Sequence, residues 1–301
     1  MIAVAGGTGR LGQELVAALG QRAEPLRVLT RHPEAVPARL PGGTEVVSAD
    51  VRDPAGLRAA LRGSEVVVSA ITGFGVGGLG TRAVDEEGNA NLIQAAEAEG
   101  VRRLVLVSMH GAASDHPMEL LRRKHAAEQR LRSSRLEWVI VRPTPSADLW
   151  VELVGAPIAE GKTTVVFGSG DNPINWVAQR DVAGVLVEAV TDASLAGEVV
   201  PVGGPDNVSL NEMAGRIAAF LNRPAGARRI PVPVLRLGRL ALRPVRQDLA
   251  GMVEGGLCLA TQDMRFDATE LTIRFPALRL TPLDELIAER FGARPALSKA
   301  G

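Results

Sequence analysis

Residues 2–31 read IAVAGGTGRLGQELVAALGQRAEPLRVLTR, and this stretch decides the fold. An apolar run at 2–5 leads into a glycine cluster, a segment with helical periodicity follows, and a second apolar run occupies 26–29. Strand, glycine turn, helix and strand in this order predict the first half of a dinucleotide-binding unit. Gly6, Gly9 and Gly12 have the spacing G-x-x-G-x-x-G. This spacing lets the backbone approach a pyrophosphate, which the amide groups at the helix N-terminus can bind.

The residues that close the second apolar run indicate which dinucleotide is preferred. NAD-binding proteins place an acid there for the ribose 2′-hydroxyl, whereas this chain has Thr30 and Arg31. Arg31 can bind a 2′-phosphate, and Arg10 in the glycine loop lies within reach of the same group. The alternative is that both are solvated surface arginines. We predict NADP(H) as the cofactor, and the missing carboxylate argues against an S-adenosylmethionine enzyme.

Composition excludes several classes of protein. Acidic and basic residues balance at 34 each, so bulk charge does not indicate a nucleic-acid partner. A single cysteine, Cys258, cannot form an internal disulfide and suits a reducing compartment. No apolar run approaches the roughly 18 residues of a membrane span, and no metal-ligand spacing is present. The first strand begins at residue 2, which leaves no room for a signal peptide, so we expect a cytoplasmic protein.

Strand-like apolar runs continue along the first half of the chain and alternate with helical segments such as 89–98. Continuous apolar strands alternating with helices indicate a parallel sheet that is covered on both faces. We therefore predict an α/β protein with a doubly wound parallel Rossmann sheet and an NADP-binding core at residues 1–150. The further strand-like runs are 45–48, 65–69, 103–108 and 137–141.

The alternation becomes irregular after residue 150. Strand-like runs at 164–167 and 198–204 and helices opened by Asp181 and Ser209 indicate a smaller C-terminal α/β lobe. We place this lobe at residues 151–292, interwoven with the core, and expect it to bind a substrate or a partner. Ser209 and Glu212 have the spacing of a capping box.

Three further segments carry specific expectations. The run 230–253 is apolar with arginine at intervals and predicts one or two amphipathic helices broken by Pro244. Its surface can wall a substrate pocket, form an oligomer interface or lie on lipid. The glycine-rich run 73–80 predicts a mobile loop, and the last nine residues, 293–301, predict a frayed tail.

Several motifs together resemble the atypical short-chain dehydrogenase/reductase superfamily, and the NmrA-like branch most of all. The resemblance covers about residues 2–190 and implies a Rossmann fold and NAD(P) binding, but it says almost nothing about the substrate. The motifs are GGTGRLG, LTRHP, ADVRD, AAEAEGVRRLVLVSMHGA, K-x-x-x-E at 124–128, LEWVIVRPT and INWVAQRDVA.

The same resemblance implies a catalytic site that has lost its usual acid. Catalytic members carry a serine at the end of the fifth strand and a Tyr-x-x-x-Lys pair on the next helix. Ser108 and Lys124 match the serine and the lysine, but the tyrosine position is Leu120, and the chain contains no tyrosine. The asparagine that many relatives carry on helix four is Asp85. Because leucine cannot deliver a proton, the usual relay is broken.

A proton donor must then come from elsewhere if the protein is an enzyme. Tyrosine-less relatives that resemble isoflavone reductases use the lysine or a water beside it. Histidine is the other candidate type. His110 lies just past Ser108 near the expected nicotinamide site, and His116 lies four residues before Leu120, on the same helical face or at the cap of the helix that Pro117 opens. A structural role remains open for both.

The predicted cofactor site combines the glycine loop with the ends of the strands. Asp50 after the third strand is placed to accept a hydrogen bond from the adenine amino group, or to cap the helix near Pro54. The predicted cofactor-binding residues are Gly6, Thr8, Gly9, Arg10, Leu11, Gly12, Thr30, Arg31, Asp50, Val51, Ala70, Ile71, Lys124, Pro143 and Thr144.

Two functions are consistent with these observations. The first is an NADPH-dependent reductase of a small, largely apolar carbonyl or enone compound. The second is a catalytically silent NADP(H)-binding protein that senses redox state or supports assembly of a partner.

Overall fold

The structure, a computed structural model, describes residues 1–22, 24–36, 40–75 and 79–292. The predicted frayed tail at 293–301 and part of the predicted mobile loop lie outside the described residues. The strands are β1 Ile2–Ala5, β2 Leu26–Thr30, β3 Glu45–Ser48, β4 Val66–Ser69, β5 Arg103–Val107, β6 Glu137–Pro143, β7 Thr164–Phe167, β8 Ile174–Asn175, β9 Glu198–Val202, β10 Asn207–Val208 and β11 Ala227–Ile230. The α-helices are α1 Arg10–Gln21, α2 Pro54–Leu61, α3 Asn89–Ala98, α4 Glu119–Arg132, α5 Ala147–Ala159, α6 Gln179–Thr191, α7 Leu210–Phe220, α8 Val232–Leu242, α9 Gln247–Thr261, α10 Thr269–Arg274 and α11 Leu283–Gly292.

A seven-stranded parallel sheet forms the centre of the molecule. Its order is β3-β2-β1-β4-β5-β6-β9, and all six neighbouring pairs are parallel. The six strands predicted from the first half of the chain are all present, and the predicted Rossmann fold is confirmed. The strand order changes direction between β1 and β4, and ligands of open α/β sheets bind at the carboxyl ends of the strands at such a point.

Each face of the sheet is covered by its own layer of helices. Side chains alternate along a strand, so that Val4 packs with α1 and α6 on one face while Ala3 and Ala5 contact the opposite layer. The first face carries Leu15 and Leu186, and the second carries residues of α2, α3 and α4. All four residues of β1 are buried, as expected of a strand covered on both faces.

The C-terminal part of the chain divides between the central sheet and a smaller lobe. β9, which the sequence pattern assigned to the lobe, pairs with β6 and becomes the seventh strand. The lobe itself contains two two-stranded sheets, β10-β8 and β11-β7, and a core of helices α5, α7 and α11.

Two helix starts in this region were predicted from capping residues. The capping box of Ser209 and Glu212 is present at the start of α7. Asp181 does not open its helix, which begins at Gln179 without a side-chain cap. Its carboxylate instead accepts hydrogen bonds of 2.7 Å from the backbone N–H and from the hydroxyl of Thr281, and this contact fastens α6 to the segment before α11.

The arginine-rich apolar run forms two helices, α8 and α9, with Pro244 between them as predicted. Leu235 is the one buried residue of α8, whereas Val234 and Leu237 are 56% and 69% exposed. Among the described residues, no helix has the length and hydropathy required to cross a membrane.

Candidate functional site

The glycine loop between β1 and α1 is packed so closely that side chains cannot be added. Gly6 has a φ of +83°, and a Cβ there would lie 2.5 Å from the carbonyl oxygen of Ala70 at the end of β4. A Cβ at Gly12 would lie 2.1 Å from the carbonyl oxygen of Gly6. A Cβ at Gly7 would lie 2.9 Å from the side chain of Val28. The loop thus forms a backbone cradle at the point where the strand order reverses.

The N-terminus of α1 faces this cradle without a protein cap. Gly9 occupies the N-cap position, no side chain accepts a hydrogen bond from the first turn, and that turn contains no acid. The carbonyl of Thr8 accepts a hydrogen bond from the side chain of Gln13, and Leu11 packs against the core. Unsatisfied amide groups and the positive end of the helix dipole together form an anion site, so these residues fit the pyrophosphate of a dinucleotide.

The end of β2 presents one unpaired cation. Thr30 is buried, and its hydroxyl accepts a hydrogen bond from the His32 backbone N–H. Arg31 is exposed and forms no hydrogen bond or ion pair with any residue that the structure describes. Arg10 differs, since its guanidinium forms a 2.6 Å ion pair with Glu152 of α5. Arg31 is therefore the free cation at the position predicted for the 2′-phosphate.

Asp50 and Val51 lie beyond β3, near Arg31. Arg52 binds both carboxylate oxygens of Asp50, and this hydrogen bonding is the main reason that the pKa of Asp50 is lowered, with Arg31 adding a smaller contribution. The helix that follows is capped by Asp53, not by Asp50. The carbonyl of Val51 accepts a hydrogen bond from the side chain of Asn91 on α3. The adenine contact proposed for Asp50 stays a prediction.

We expect Arg31→Ala to remove most of a preference for NADPH over NADH. One charge-assisted hydrogen bond contributes about 1.5–3 kcal/mol, so the ratio of the two dissociation constants should fall by about 10- to 100-fold. Titration calorimetry with each cofactor measures this ratio, and Arg31→Lys, which keeps the charge, should retain part of the preference. Equal affinities of the wild type for NADPH and NADH would contradict the assignment.

Lys124 is buried at the carboxyl ends of β4 and β5. Its ammonium donates hydrogen bonds to the carbonyl oxygens of Ile71, at 2.9 Å, and Val107, at 3.1 Å. It also lies 3.0 Å from Oδ1 of Asp85, a fully buried carboxylate. Lys124 therefore connects two strand ends to an internal negative charge, immediately beside the glycine cradle.

Asp85 is held by a π-helical turn, Arg82–Gly88, that precedes α3. Its Oδ2 accepts a 2.9 Å hydrogen bond from the backbone N–H of Gly73. Oδ1 accepts no hydrogen bond within the described part of the chain, so its contact with Lys124 is a charge pair and not an aligned hydrogen bond. Next to it, Asn89 accepts from the hydroxyl of Ser69 and donates to the carbonyl of Asp85.

Ser108 lies one residue beyond β5 and faces the α4 side of the sheet. Its hydroxyl donates to Glu128, a fully buried carboxylate one turn beyond Lys124. Glu128 also accepts hydrogen bonds of 2.8 and 2.6 Å from Arg142 on β6. Sequence reasoning gave Glu128 and Arg142 no role, although the i, i+4 spacing of Lys124 and Glu128 places both on one helix face.

The two histidines differ in their surroundings. Both ring nitrogens of His116 are engaged, since Nδ1 accepts from the Met118 backbone N–H and Nε2 lies 3.0 Å from the side-chain oxygen of Gln262. His110 packs edge-on against Phe266, and its ring forms no hydrogen bond with a described residue. Burial, and secondarily the charge of Arg142, lower the pKa of His110, which favours the neutral imidazole.

An apolar cluster surrounds Leu120, the position that the resemblance assigns to the catalytic tyrosine. We call it the Leu120 cluster. Leu120 is 7% exposed, and α9 covers it from above. A Cβ at Gly255 of α9 would lie 3.7 Å from Met118 and 3.8 Å from Phe74, which is ordinary van der Waals distance, so this helix packs against the cluster. The cluster consists of Phe74, Met109, Met118, Leu120, Leu121 and Cys258.

The end of β6 is fixed by an internal polar network. The carbonyl of Pro143 accepts from the His110 backbone N–H. The hydroxyl of Thr144 donates to the fully buried side chain of Asn175, which also binds Gly204 and the carbonyl of Asp206. Asn175 lies in the INW motif, and only its polarity among apolar neighbours would have marked it in the sequence.

Comparison with known proteins agrees with this geometry. A family model described as NAD(P)H-binding matches residues 6–193. The (4-alkanoyl-5-oxo-2,5-dihydrofuran-3-yl)methyl phosphate reductase of Streptomyces griseus is 31% identical over 245 residues, which cover 81% of this chain and 82% of that protein. The NAD(P)H azoreductase of Xenophilus azovorans is 29% identical, with 84% of this chain and 81% of that protein covered.

Two further proteins extend the comparison. The photosystem II assembly factor Ycf39 of Synechocystis is 27% identical, with 79% of this chain and 73% of that protein covered. The crystal structure of an NADPH-dependent quinone oxidoreductase from Escherichia coli has a TM-score of 0.78 and 21% identity, with 97% of this chain and 100% of that chain covered. This structural likeness concerns the fold.

Proposed function

Because this chain belongs to the NAD(P)H-binding family, we propose that it is an NADPH-dependent reductase of a small, largely apolar carbonyl or enone compound. The observation that carries the proposal is the position of Lys124, buried beside Asp85 at the strand ends and one helical turn from Leu120. The reductases among its relatives support the reaction class.

The cofactor would be held by groups that the chain already presents. The cradle of Gly6 and Gly12 and the N-terminus of α1 would bind the pyrophosphate, and Arg31 would bind the 2′-phosphate. The bound cofactor supplies a hydride for the substrate. The Leu120 cluster provides an apolar, water-excluding surface next to the strand ends, and such a surface favours a substrate with few polar groups.

Lys124 is our candidate for the proton donor. Leu120 and Lys124 lie four residues apart on one face of α4. The ammonium of Lys124 would therefore donate the proton that the tyrosine phenol donates in catalytic relatives, from a position one helical turn further along α4. Asp85 would orient this ammonium. Ser108 would act as a positioning residue, because its hydroxyl is bound to Glu128. His116 is already fully hydrogen-bonded, whereas the ring of His110 forms no hydrogen bond with a described residue. His110 is therefore the second candidate, although its lowered pKa favours the neutral imidazole and makes it the weaker proton donor.

The direct test is NADPH consumption by the purified protein across quinones, enones and aldehydes. The proposal expects appreciable turnover of at least one class. It also expects His110→Asn to retain activity if Lys124 is the donor. Tight NADPH binding without turnover of any member of the panel would instead favour the second function.

Leu120→Tyr separates the two functions. In a reductase whose pocket is packed around leucine, the larger ring crowds the Leu120 cluster, and overpacking of this kind costs about 1–3 kcal/mol. We expect turnover to fall by about tenfold or more, while Leu120→Met, which conserves volume, leaves it nearly unchanged. The measurement is the steady-state rate of NADPH oxidation. A gain of carbonyl reduction in Leu120→Tyr over an inactive wild type would contradict the reductase proposal.

A silent NADP(H)-binding protein is the second candidate. The chain lacks a tyrosine, and Lys124 already engages two backbone carbonyls and Asp85, which supports a structural role for this lysine. The similarity to a photosystem II assembly factor supports the same reading. Under this function NADPH binds tightly, no substrate is reduced, and a protein partner is bound.

A further inference from the structure

A cavity of about 330 Å³ lies between α8, α9 and the segment that enters α4. Part of its wall is apolar and is formed by Leu240, Leu257 and Cys258. Its positive charge comes from Arg236 and Arg239 of α8. Cys258 also belongs to the Leu120 cluster, so the cavity adjoins the proposed site of reduction. Its volume is at the lower end of the range for small-molecule pockets.

The two arginines have no ion-pair partner in the part of the chain that the structure describes. Neither forms an ion pair or a side-chain hydrogen bond with another residue in the described ranges, and Nε of Arg239 is buried without a hydrogen-bond partner. A buried guanidinium nitrogen without a partner is costly, and a bound oxyanion would satisfy it.

The one acidic residue in the lining of the cavity does not pair with the arginines. Glu254 accepts a 2.8 Å hydrogen bond from the backbone N–H of Glu119, and its carboxylate forms no ion pair with Arg236 or Arg239. The thiol of Cys258 stays protonated at neutral pH, because burial and Glu254 raise its pKa to about 11. Residues 213–247 contain eight arginines and no acidic residue.

We propose that this cavity binds the anionic end of the substrate, a phosphate or a carboxylate, through Arg236 and Arg239. The apolar wall of the cavity takes the carbon chain next to the anion, and the reacting carbonyl lies towards the Leu120 cluster. The proposal rests on the proposed reductase function and narrows its substrate to an amphiphilic anion.

The test measures binding, so that it does not depend on turnover. Hexyl phosphate, hexanoate and hexanol are titrated calorimetrically into protein saturated with NADP⁺, which keeps the probes out of the glycine cradle. We expect one or both anions to bind more tightly than hexanol, and the ratio of the two anions identifies the preferred group. Arg239→Gln and Arg236→Gln should each weaken anion binding by about 10- to 100-fold and leave hexanol binding unchanged.

Arg243→Gln is the matched control. Arg243 lies at the end of the same helix, is exposed, and does not line the cavity, so this variant should bind the anions like the wild type. No anion binding by the wild type, or an equal loss in all three variants, would overturn the proposal. Anion binding without any NADPH oxidation would support the anion site and reject the reductase function. Reduction of neutral enones without anion binding would support the reductase function and reject the anion site.

Discussion

Replacing Lys124 with methionine is expected to lower the free energy of unfolding by about 3–5 kcal/mol, because the buried carboxylate of Asp85 then loses its cation. The two strand-end carbonyls that accept from the ammonium also lose their donor. For a chain of this length, such a loss corresponds to a melting temperature lower by about 5–8 °C. Urea unfolding followed by tryptophan fluorescence measures the free energy directly.

The double variant Asp85→Asn with Lys124→Met is the control. Asp85→Asn removes the carboxylate charge that Lys124→Met leaves unpaired. The double variant should therefore regain more than half of the lost free energy of unfolding. A double variant as unstable as Lys124→Met alone would show that the charge pair is not the cause.

Gly12→Ala is expected to weaken NADPH binding by more than about 100-fold. The added Cβ would lie 2.1 Å from the carbonyl oxygen of Gly6, so the loop and the first turn of α1 must separate. This displacement moves the amide groups that would bind the pyrophosphate, and two or more charge-assisted hydrogen bonds of about 1.5–3 kcal/mol each are lost. Calorimetric titration of NADPH measures the effect.

Gly215→Ala provides the comparison for a glycine inside a helix. A Cβ at Gly215 in α7 meets nothing within 4 Å, so this variant should bind NADPH normally and gain about 0.5–1 kcal/mol of stability. If Gly12→Ala bound NADPH like Gly215→Ala, the glycine loop would not be the pyrophosphate site.

The sequence predicted those parts of the molecule that depend on local pattern. The six strands of the core, the glycine loop and the capping box of Ser209 each depend on residues within about a dozen positions of one another, and all are present. The position of Leu120 and Lys124 on one face of α4 follows from their i, i+4 spacing.

The features that were missed depend on residues far apart in the chain. Asp181 looked like a helix cap, but its partner is Thr281, 100 positions away. The strand-like run at 198–204 was assigned to the C-terminal lobe but joins the central sheet, because apolar strands of the central sheet and of the two small sheets have similar patterns. Glu128 was noted only as part of the K-x-x-x-E motif and was given no role, since its partner Arg142 lies on the next strand.

Two elements of the core, α6 and β9, lie late in the sequence, so the core can be completed only after both have been synthesised. A nascent chain that ends near residue 150 already contains the whole glycine motif, yet β6 still has an open edge where β9 will pair. The sheet face beside α1 is also uncovered, because Val182, Val185 and Leu186 of α6 have not been made. An open strand edge and a bare apolar face promote aggregation. About two thirds of the chain must therefore be synthesised before the central sheet is complete, and we expect a fragment that ends at residue 150 to aggregate.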